Sequence, residues 1–463
     1  MTRLLTLITC LIAAQPLFAN EQLTATANPA VTQWKAGVGR ELITPVHPMP
    51  MAGYASRGAS HATGKLHDLW AKALLLEDAA GERCVLVTLD LCGIDDVLAK
   101  RICDELKTTA KLDRHQIMLA TSHTHSGPVV AGNLRPMHYM LFAEEDRELV
   151  DQYASFLVEK ISSCVEQAIQ SLAPSDLSYG SGTENFAVNR RTNVEKDVPA
   201  LRAANKLAGP TDHSVPVLVV SRENQPLAII FGYACHCTTL SGMEWNGDYA
   251  GFAQAEFERR FPGCNAMFWA GCGGDQNPLP RRTVELASEY GKRLAAAVYK
   301  TIDNKMDLIE PKLRTQFKLI QVPFAQLPTR EQIEQNVKSQ NQYEAARAQS
   351  LLRSLDAGES LPTTYSYPVA TWRLGDSVDW IALGGEVVVD YSLAIKSLPA
   401  ARRTTWVTAY ANDVMAYIPS RRVLAEGGYE GGGAMVYYGR PTVWAPEIEQ
   451  LILDEVTRQL TLP

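Results

Sequence analysis

An α/β fold, a mixed β-sheet core flanked by helices, is what this sequence predicts. Two patterns point to it. Short apolar runs bounded by turn residues alternate with longer segments whose apolar positions recur at helical spacing. Several apolar runs also end on reactive side chains, the position where open α/β sheets collect their ligand sites. The chain has 463 residues, and no internal repeat or composition break divides it after the first thirty or so. One large domain over 34–463, with site loops at strand ends, is expected.

Residues 1–19 read as a signal peptide. Arg3 supplies the positive end, Leu4 to Ala14 the apolar centre, and Leu17-Phe18-Ala19 a small-residue cleavage site before Asn20. Thr9-Cys10 resembles a lipoprotein box only loosely, because the apolar region before it is too short. Residues 20–33 are polar and read as an arm. No other apolar run reaches the roughly 18 residues a membrane span needs. The protein is therefore expected to be exported, to the periplasm or beyond, with no transmembrane segment.

With 46% hydrophobic and 21% charged residues, the composition is that of an ordinary globular protein. A net charge of −7 without any Lys/Arg block speaks against nucleic acid as a partner. Of nine cysteines, Cys10 falls in the targeting segment, and the remainder are too sparse for a disulfide scaffold. Cys264 and Cys272, flanking one apolar strand, form a candidate pair.

In chain order, Trp34 to Pro45 reads as a strand and Met49 to Lys65 as a long Gly/Ser/Ala-rich loop, of the kind that is functional or flexible. Leu69 to Glu77 and Cys84 to Leu91 form a hairpin through Asp78 to Gly81, with a helix from about Asp95 to Thr109. A short apolar run ends at Ala120. Asp146 to Ser171 is a long amphipathic helix with Val150, Tyr153, Phe156, Leu157, Ile161, Val165 and Ile169 on one face. From Leu177 the texture becomes loop-like, with Gly180-Ser181-Gly182-Thr183 and then Asn189-Arg190. Val215 to Ser221 and Leu227 to Cys237 are strands around a Glu223-Asn224 turn, followed by a helix from about Asp248 to Arg260. Ala266 to Ala270 is a strand and 283–302 a helix. Thr329 and Gln332 make a capping box opening a polar helical stretch, a hairpin or a cover over the site. Val378 to Leu383 and Trp406 to Tyr410 are strands. Gly427 to Gly433 is a mobile or backbone-close loop.

The chemistry centres on Thr121-Ser122-His123-Thr124-His125-Ser126-Gly127-Pro128. If the chain stays extended through His-Thr-His, both imidazoles fall on one face at a strand's end. Such a pair is half a metal site or an acid–base pair; the alternative is two surface histidines. His236 lies between Cys235 and Cys237, which alternation turns away from it. His236 then reads as a ligand and the cysteines as packing, against a core histidine bonded to carbonyls. Arg190 alone reads as a solvated surface arginine. Glu386, after Gly384-Gly385 at a strand's end, fits equally a metal carboxylate, a general base, or an acid at the next helix's N-terminus. The Gly271–Asp275 run lacks a phosphate loop's Gly-Lys-Ser/Thr ending. Ser126-Gly127 excludes the metallo-β-lactamase order.

His123-Thr-His-Ser-Gly-Pro128, Asn189-Arg190, His236 before Thr238, Gly247-Asp248 with Gly251-Phe252-Ala253, Gly274-Asp275, Gly385-Glu386, Tyr417 and Tyr429-Glu430-Gly431 occur in a set order. Together, over residues 34 to 445, they resemble the N-terminal catalytic domain of neutral/alkaline non-lysosomal ceramidases. That family is a zinc amidase that cleaves ceramide into sphingosine and fatty acid. The resemblance implies Zn2+ held by His123, His236, Glu386 and Tyr417, the tyrosine either as a direct ligand or as a hydrogen-bond donor behind the ligands, with His125 and Arg190 as catalytic or substrate-contacting groups. On that site the expected mechanism is attack of metal-bound water on an N-acyl amide, His125 moving the proton, with Arg190 and the amide of Asn277 at the oxyanion. The expected partner is a small-molecule or lipid N-acyl substrate, with peripheral lipid contact.

Three departures stand out. The family's Gly-Asp-x-Ser-Pro-Asn run is here Gly274-Asp275-Gln276-Asn277-Pro278, so Asn277 stands nearest the serine's place. Asn189-Arg190 continues as Arg191-Thr192 where the family has Ser-Pro. The sequence ends at Pro463, where the family's C-terminal β-sandwich would follow, and that domain is expected to be missing. A zinc hydrolase of another N-acyl or ester substrate and a non-catalytic binding module on the same scaffold are the alternatives.

Overall fold

The structure, a computed structural model, describes residues 33–462. The signal peptide and nearly all of the arm lie outside them. The larger sheet is built from β1 (Trp34–Leu42), β2 (Trp70–Glu77), β3 (Arg83–Leu89), β4 (Ile117–Thr121), β5 (Ala173–Thr183), β6 (Ser214–Arg222), β7 (Gln225–Tyr233) and β8 (Asn265–Ala270). Their spatial order is β8-β7-β6-β5-β1-β2-β3-β4. The outer pairs β3/β4 and β7/β8 are parallel and the inner pairs antiparallel. A second sheet, β9 (Leu313–Pro323), β10 (Thr364–Leu374), β11 (Val378–Leu383) and β12 (Thr404–Thr408), is antiparallel except for its last pair.

The two sheets stack face to face. Period-2 alternation sends Leu74, Leu86, Met118, Ile230, Met267 and Trp269 from the first sheet against Trp372, Trp380 and Trp406 from the second. The other face of the first sheet takes α1 (Asp96–Thr109), α2 (Glu144–Gln170), α3 (Asp248–Arg260) and α4 (Val284–Asp303); α5 (Ile448–Thr461) covers the second sheet's outer face. The layering is helix, sheet, sheet, helix. The helix predicted over 146–171 buries Val150, Tyr153, Leu157, Ile161 and Val165. It lies so close to β1 that a Cβ at Gly37 would fall 1.9 Å from the Ala168 carbonyl oxygen. The Glu223-Asn224 turn has both residues at positive φ, 52° and 62°, which matches the twist of a two-residue hairpin.

Three expectations are corrected. The run from Leu177 to Thr183 is strand, part of β5, not loop. Gly180 and Gly182 look like turn residues but serve close packing, since a Cβ on either would come within 3 Å of Thr301 on α4. Cys264 and Cys272 are free thiols. The six-residue β8 between them separates them by about 20 Å, far beyond the ~7 Å Cα limit of a disulfide. The chain does not stay extended through His-Thr-His: β4 ends at Thr121 and His123 is left-handed, with φ 59°.

The Thr329 capping box forms and opens a helical hairpin, Arg330–Asn336 and Gln342–Asp356. The glycine-rich loop is backbone-close, a Cβ at Gly431 falling 2.6 Å from the Val423 carbonyl oxygen. Among the described residues no helix is long and apolar enough to cross a membrane.

Candidate metal centre

Five strand ends open onto one place. The parallel pairs make this possible, because their strands share a carboxyl end. His123 follows β4, His236 follows β7, and Gly271 to Asp275 follows β8. Glu386 follows β11, and Tyr410 to Tyr417 follow β12. Glu386 and Tyr417 are then paired across a short parallel ladder.

The polar atoms meet at hydrogen-bond distance. Glu386 Oε2 is 3.1 Å from His123 Nε2 and 3.1 Å from His236 Nε2. The Tyr417 hydroxyl is 3.3 Å from His236 Nε2, and His125 Nε2 is 3.0 Å from His123 Nε2. His123, His236, Glu386 and Tyr417 are all buried. His123, His236 and Glu386 are thus placed to hold one ion.

The backbone sets the tautomers. His123 Nδ1 donates to the Cys92 carbonyl (2.6 Å) and His236 Nδ1 to the Gly273 carbonyl (2.6 Å). A carbonyl only accepts, so each ring carries a proton on Nδ1 and turns Nε2 to the centre, the nitrogen that would bind an ion in place of a proton. Tyr438 donates to Glu386 Oε1, which leaves Oε2 as the shared oxygen. The Tyr410 ring stacks on His123, centroids 4.3 Å apart. Two imidazole nitrogens and a carboxylate oxygen suit zinc in ligand type, and the Tyr417 hydroxyl stands beside them.

Electrostatics favour a cation here. Burial lowers His236 to about 4, helped by Arg190. Burial opposes charge on His123 too, but the Cys92 sulfur and the Glu386 carboxylate outweigh it and raise that ring to about 10. Burial would also raise Glu386, yet His123 and His236 hold its carboxyl well below the usual range. Burial, with His123 and His236 beside it, keeps His125 well below the ordinary histidine value. Burial and Glu386 push the Tyr417 phenol up, and Arg190 acts against them.

Arg190 is not the surface arginine its loop suggested. Its guanidinium donates to Glu430 Oε1 (2.7 Å), Asn277 Oδ1 (3.2 Å) and the Tyr417 hydroxyl (3.0 Å). The sequence-predicted residues His123, His125, Arg190, His236, Asn277, Glu386 and Tyr417 are therefore one connected cluster. Glu386 is not the acid of a helix N-terminus: its carboxylate meets His123, His236 and Tyr438, and Asp275 accepts the Val389 amide at the start of the following helix, Val389–Lys396. Asp275 positions the cluster: its carboxylate accepts from Asn189 Nδ2 and the Val389 amide, and burial raises it to about 6. Cys235 and Cys237 pack into the core, as read.

Sequence reasoning missed Tyr410, Tyr438, the Cys92 carbonyl, and the cradle of His125. In that cradle Arg57 donates to the Ala52, Gly242 and His125 carbonyls. The Tyr54 ring sits edge-on to His125 at 4.8 Å. Gly53 has φ 91°, and a Cβ there would fall 2.4 Å from His125 Cγ.

Comparison with known proteins bears on the family and the fold. Residues 34–272 match the family described as neutral/alkaline non-lysosomal ceramidase, N-terminal. That match carries His123, His125, Arg190 and His236 and stops before Asn277, Glu386 and Tyr417. The neutral ceramidase of Pseudomonas aeruginosa is 31% identical over 164 residues, covering 34% of this chain and 23% of that protein. Neutral ceramidase 2 of Arabidopsis thaliana is 25% identical over 293 residues, 59% of this chain and 37% of that protein. The chain thus spans about a quarter to a third of these relatives. The crystal structure of the Pseudomonas aeruginosa neutral ceramidase superposes with a TM-score of 0.70 at 21% identity, covering 93% of this chain and 75% of that one, so the fold is shared well past residue 272. By the family match over residues 34–272, more than half its length, this chain belongs to the neutral/alkaline non-lysosomal ceramidase family.

Proposed function

We propose that the protein is a zinc-dependent hydrolase of N-acyl amides, of the ceramidase type, acting after export. The observation that carries this is the convergence of His123 Nε2, His236 Nε2, Glu386 Oε2 and the Tyr417 hydroxyl. Zinc held there would polarise a carbonyl and bring the pKa of water to about 7.

The remaining roles fall to the chain's own groups. His125, neutral and 3.0 Å from a ligand nitrogen, takes up and releases the proton that must reach the departing amine. Its Nε2 faces the centre, so that nitrogen is the one to carry the proton. Arg190 is a cation touching both the Tyr417 oxygen and the Asn277 amide. With Asn277 Oδ1 engaged, Nδ2 is the donor this pair offers an oxyanion. Asn277 cannot act as a nucleophile, which supports a mechanism needing only activated water. It also supports widening the substrate class from ceramide to other N-acyl or ester compounds. Peripheral contact with lipid belongs to the ceramide branch of this reading.

The test is hydrolysis of a panel by purified protein with and without chelator: short-chain ceramide, N-acyl amino acids, acylated sugars and simple esters. Chelator-sensitive cleavage of an N-acyl substrate is expected. Silence across the panel, unchanged by added zinc, would overturn it in favour of a binding module.

A further inference from the structure

The helical hairpin between β9 and β10 reaches across the chain to the loop beside His125. From its second helix the Tyr343 hydroxyl donates to the Ala55 carbonyl at 3.2 Å, and the Tyr343 ring meets the Tyr437 ring edge-on at 5.2 Å. Both contacts lead to the metal centre. On one side Ala55 follows Tyr54, whose ring lies 4.8 Å from His125. On the other, Tyr437 stands 6.2 Å from Tyr429, and Tyr429 stands 5.3 Å from Tyr417. His236 joins the two ends, 5.9 Å from His125 and 6.3 Å from Tyr417. These are ordinary separations for rings in contact.

The circuit is an arch, with the metal centre as its floor and Tyr343 as its crown. His236 and Tyr417 at the floor are buried, whereas Tyr429 is 48% exposed and Tyr54, His125, Tyr343 and Tyr437 are half-buried. Arg190, its guanidinium over the Tyr417 and Tyr429 rings at 5.7 and 5.9 Å, keeps 20% of its side chain exposed. Solvent therefore reaches the centre beside the arch. So few links, none longer than 6.3 Å and most of them between whole rings, enclose little more than the girth of one extended chain.

Tyr343 takes no part in the chemistry proposed above, so its effect falls on what can lie over the centre. We infer that Tyr343 is a specificity-determining residue: by strapping the hairpin to Ala55 it admits N-acyl compounds with a straight acyl chain and turns away those branched beside the carbonyl. This rests on the hydrolase reading of the centre. The crown hangs on one hydrogen bond and one ring contact, so a single substitution releases it.

Hydroxamates coordinate zinc and carry an acyl arm without being turned over, which separates access from catalysis. Isothermal titration of the zinc-loaded full chain with acetohydroxamate, hexanohydroxamate and 2-butylhexanohydroxamate tests the inference. Wild type should bind the straight six-carbon probe at least about tenfold more tightly than the branched one. Tyr343→Ala should bring the two within about threefold by tightening the branched probe alone, whereas a general loosening of the structure would shift both. Tyr343→Phe, which keeps the ring and loses only the bond to Ala55, should move the ratio the same way, and it decides if the alanine variant does not fold. Acetohydroxamate reports on the centre itself, and its failure to bind would overturn the metal reading and this inference with it. With acetohydroxamate bound, equal affinity of wild type for the two longer probes, or a ratio that neither variant moves, would overturn the role of Tyr343 alone.

Discussion

Tyr438 donates its hydroxyl proton to Glu386 Oε1, and this bond decides which carboxylate oxygen faces His123 and His236. A partner of this kind orients a ligand it never joins at the metal. Replacing it commonly weakens metal binding by about 10–100-fold. Tyr438→Phe should keep the fold and lower zinc affinity by that factor, measured by competition with a chromogenic chelator. Unchanged affinity would remove Tyr438 from the centre.

The two sides of His-Thr-His separate by mutation. His123→Ala and His236→Ala should each yield protein without stoichiometric zinc by elemental analysis. His125→Ala should keep its zinc while turnover falls on the order of a hundredfold or more. Zinc retained by a His123→Ala/His236→Ala double variant would dissolve the proposed site.

Gly53 should matter as much as a side chain. At φ 91° and with a Cβ position 2.4 Å from His125 Cγ, alanine is both strained and in collision. Gly53→Ala should cost at least ~1 kcal/mol in urea denaturation. It should lower turnover at unchanged zinc content, because the displaced ring is not a ligand.

Asp413 gives a pH prediction. Burial raises its carboxyl from the usual 3.8 to about 8, Tyr365 and Arg440 acting against this and Asp96 and Asp95 adding to it. The native state then binds this proton more tightly than the unfolded chain. The stability this contributes is fully present below about pH 4 and is lost as pH rises through about 8. Unfolding free energy measured at pH 5 and pH 9 should fall by up to several kcal/mol more in wild type than in Asp413→Asn. Equal slopes would contradict the buried, protonated carboxyl.

How much of this is legible in the sequence depends on whether a feature is carried by spacing or by a partner far along the chain. The helix over 146–171, the 69–91 hairpin and the run ending at Ala120 are written in local periodicity, and they formed within a few residues of expectation. Leu313–Pro323 and Thr364–Leu374 were not marked as strands, and Pro368 in the second argues against one until its place in the sheet is known. His123 and His125 are visible because two imidazoles stand two residues apart. Glu386 and Tyr417 are single residues whose meaning comes from a ladder that pairs them across thirty positions. From residue chemistry alone they stay ambiguous, and the family resemblance selected them. Tyr438 has no spacing signal, and the Cys92 and Gly273 carbonyls have no side chain to read. The extended-strand reading brought the two histidines together for the wrong reason, since a left-handed turn at His123 does it.

All eight described cysteines are buried, unpaired thiols. In the native fold none is joined to another, and β8 holds Cys264 and Cys272 apart. That makes them a clock for opening. At a dye concentration where labelling outpaces reclosing, the fully buried Cys235, Cys237 and Cys272 should react only as fast as the fold opens, and that rate reads the unfolding barrier. It also sets a hazard. Every chain that opens in oxidising surroundings exposes thiols that can pair in ways the native structure forbids, and such a chain does not return. For this fold, endurance after export would then rest on how rarely it opens rather than on how stable it is on average.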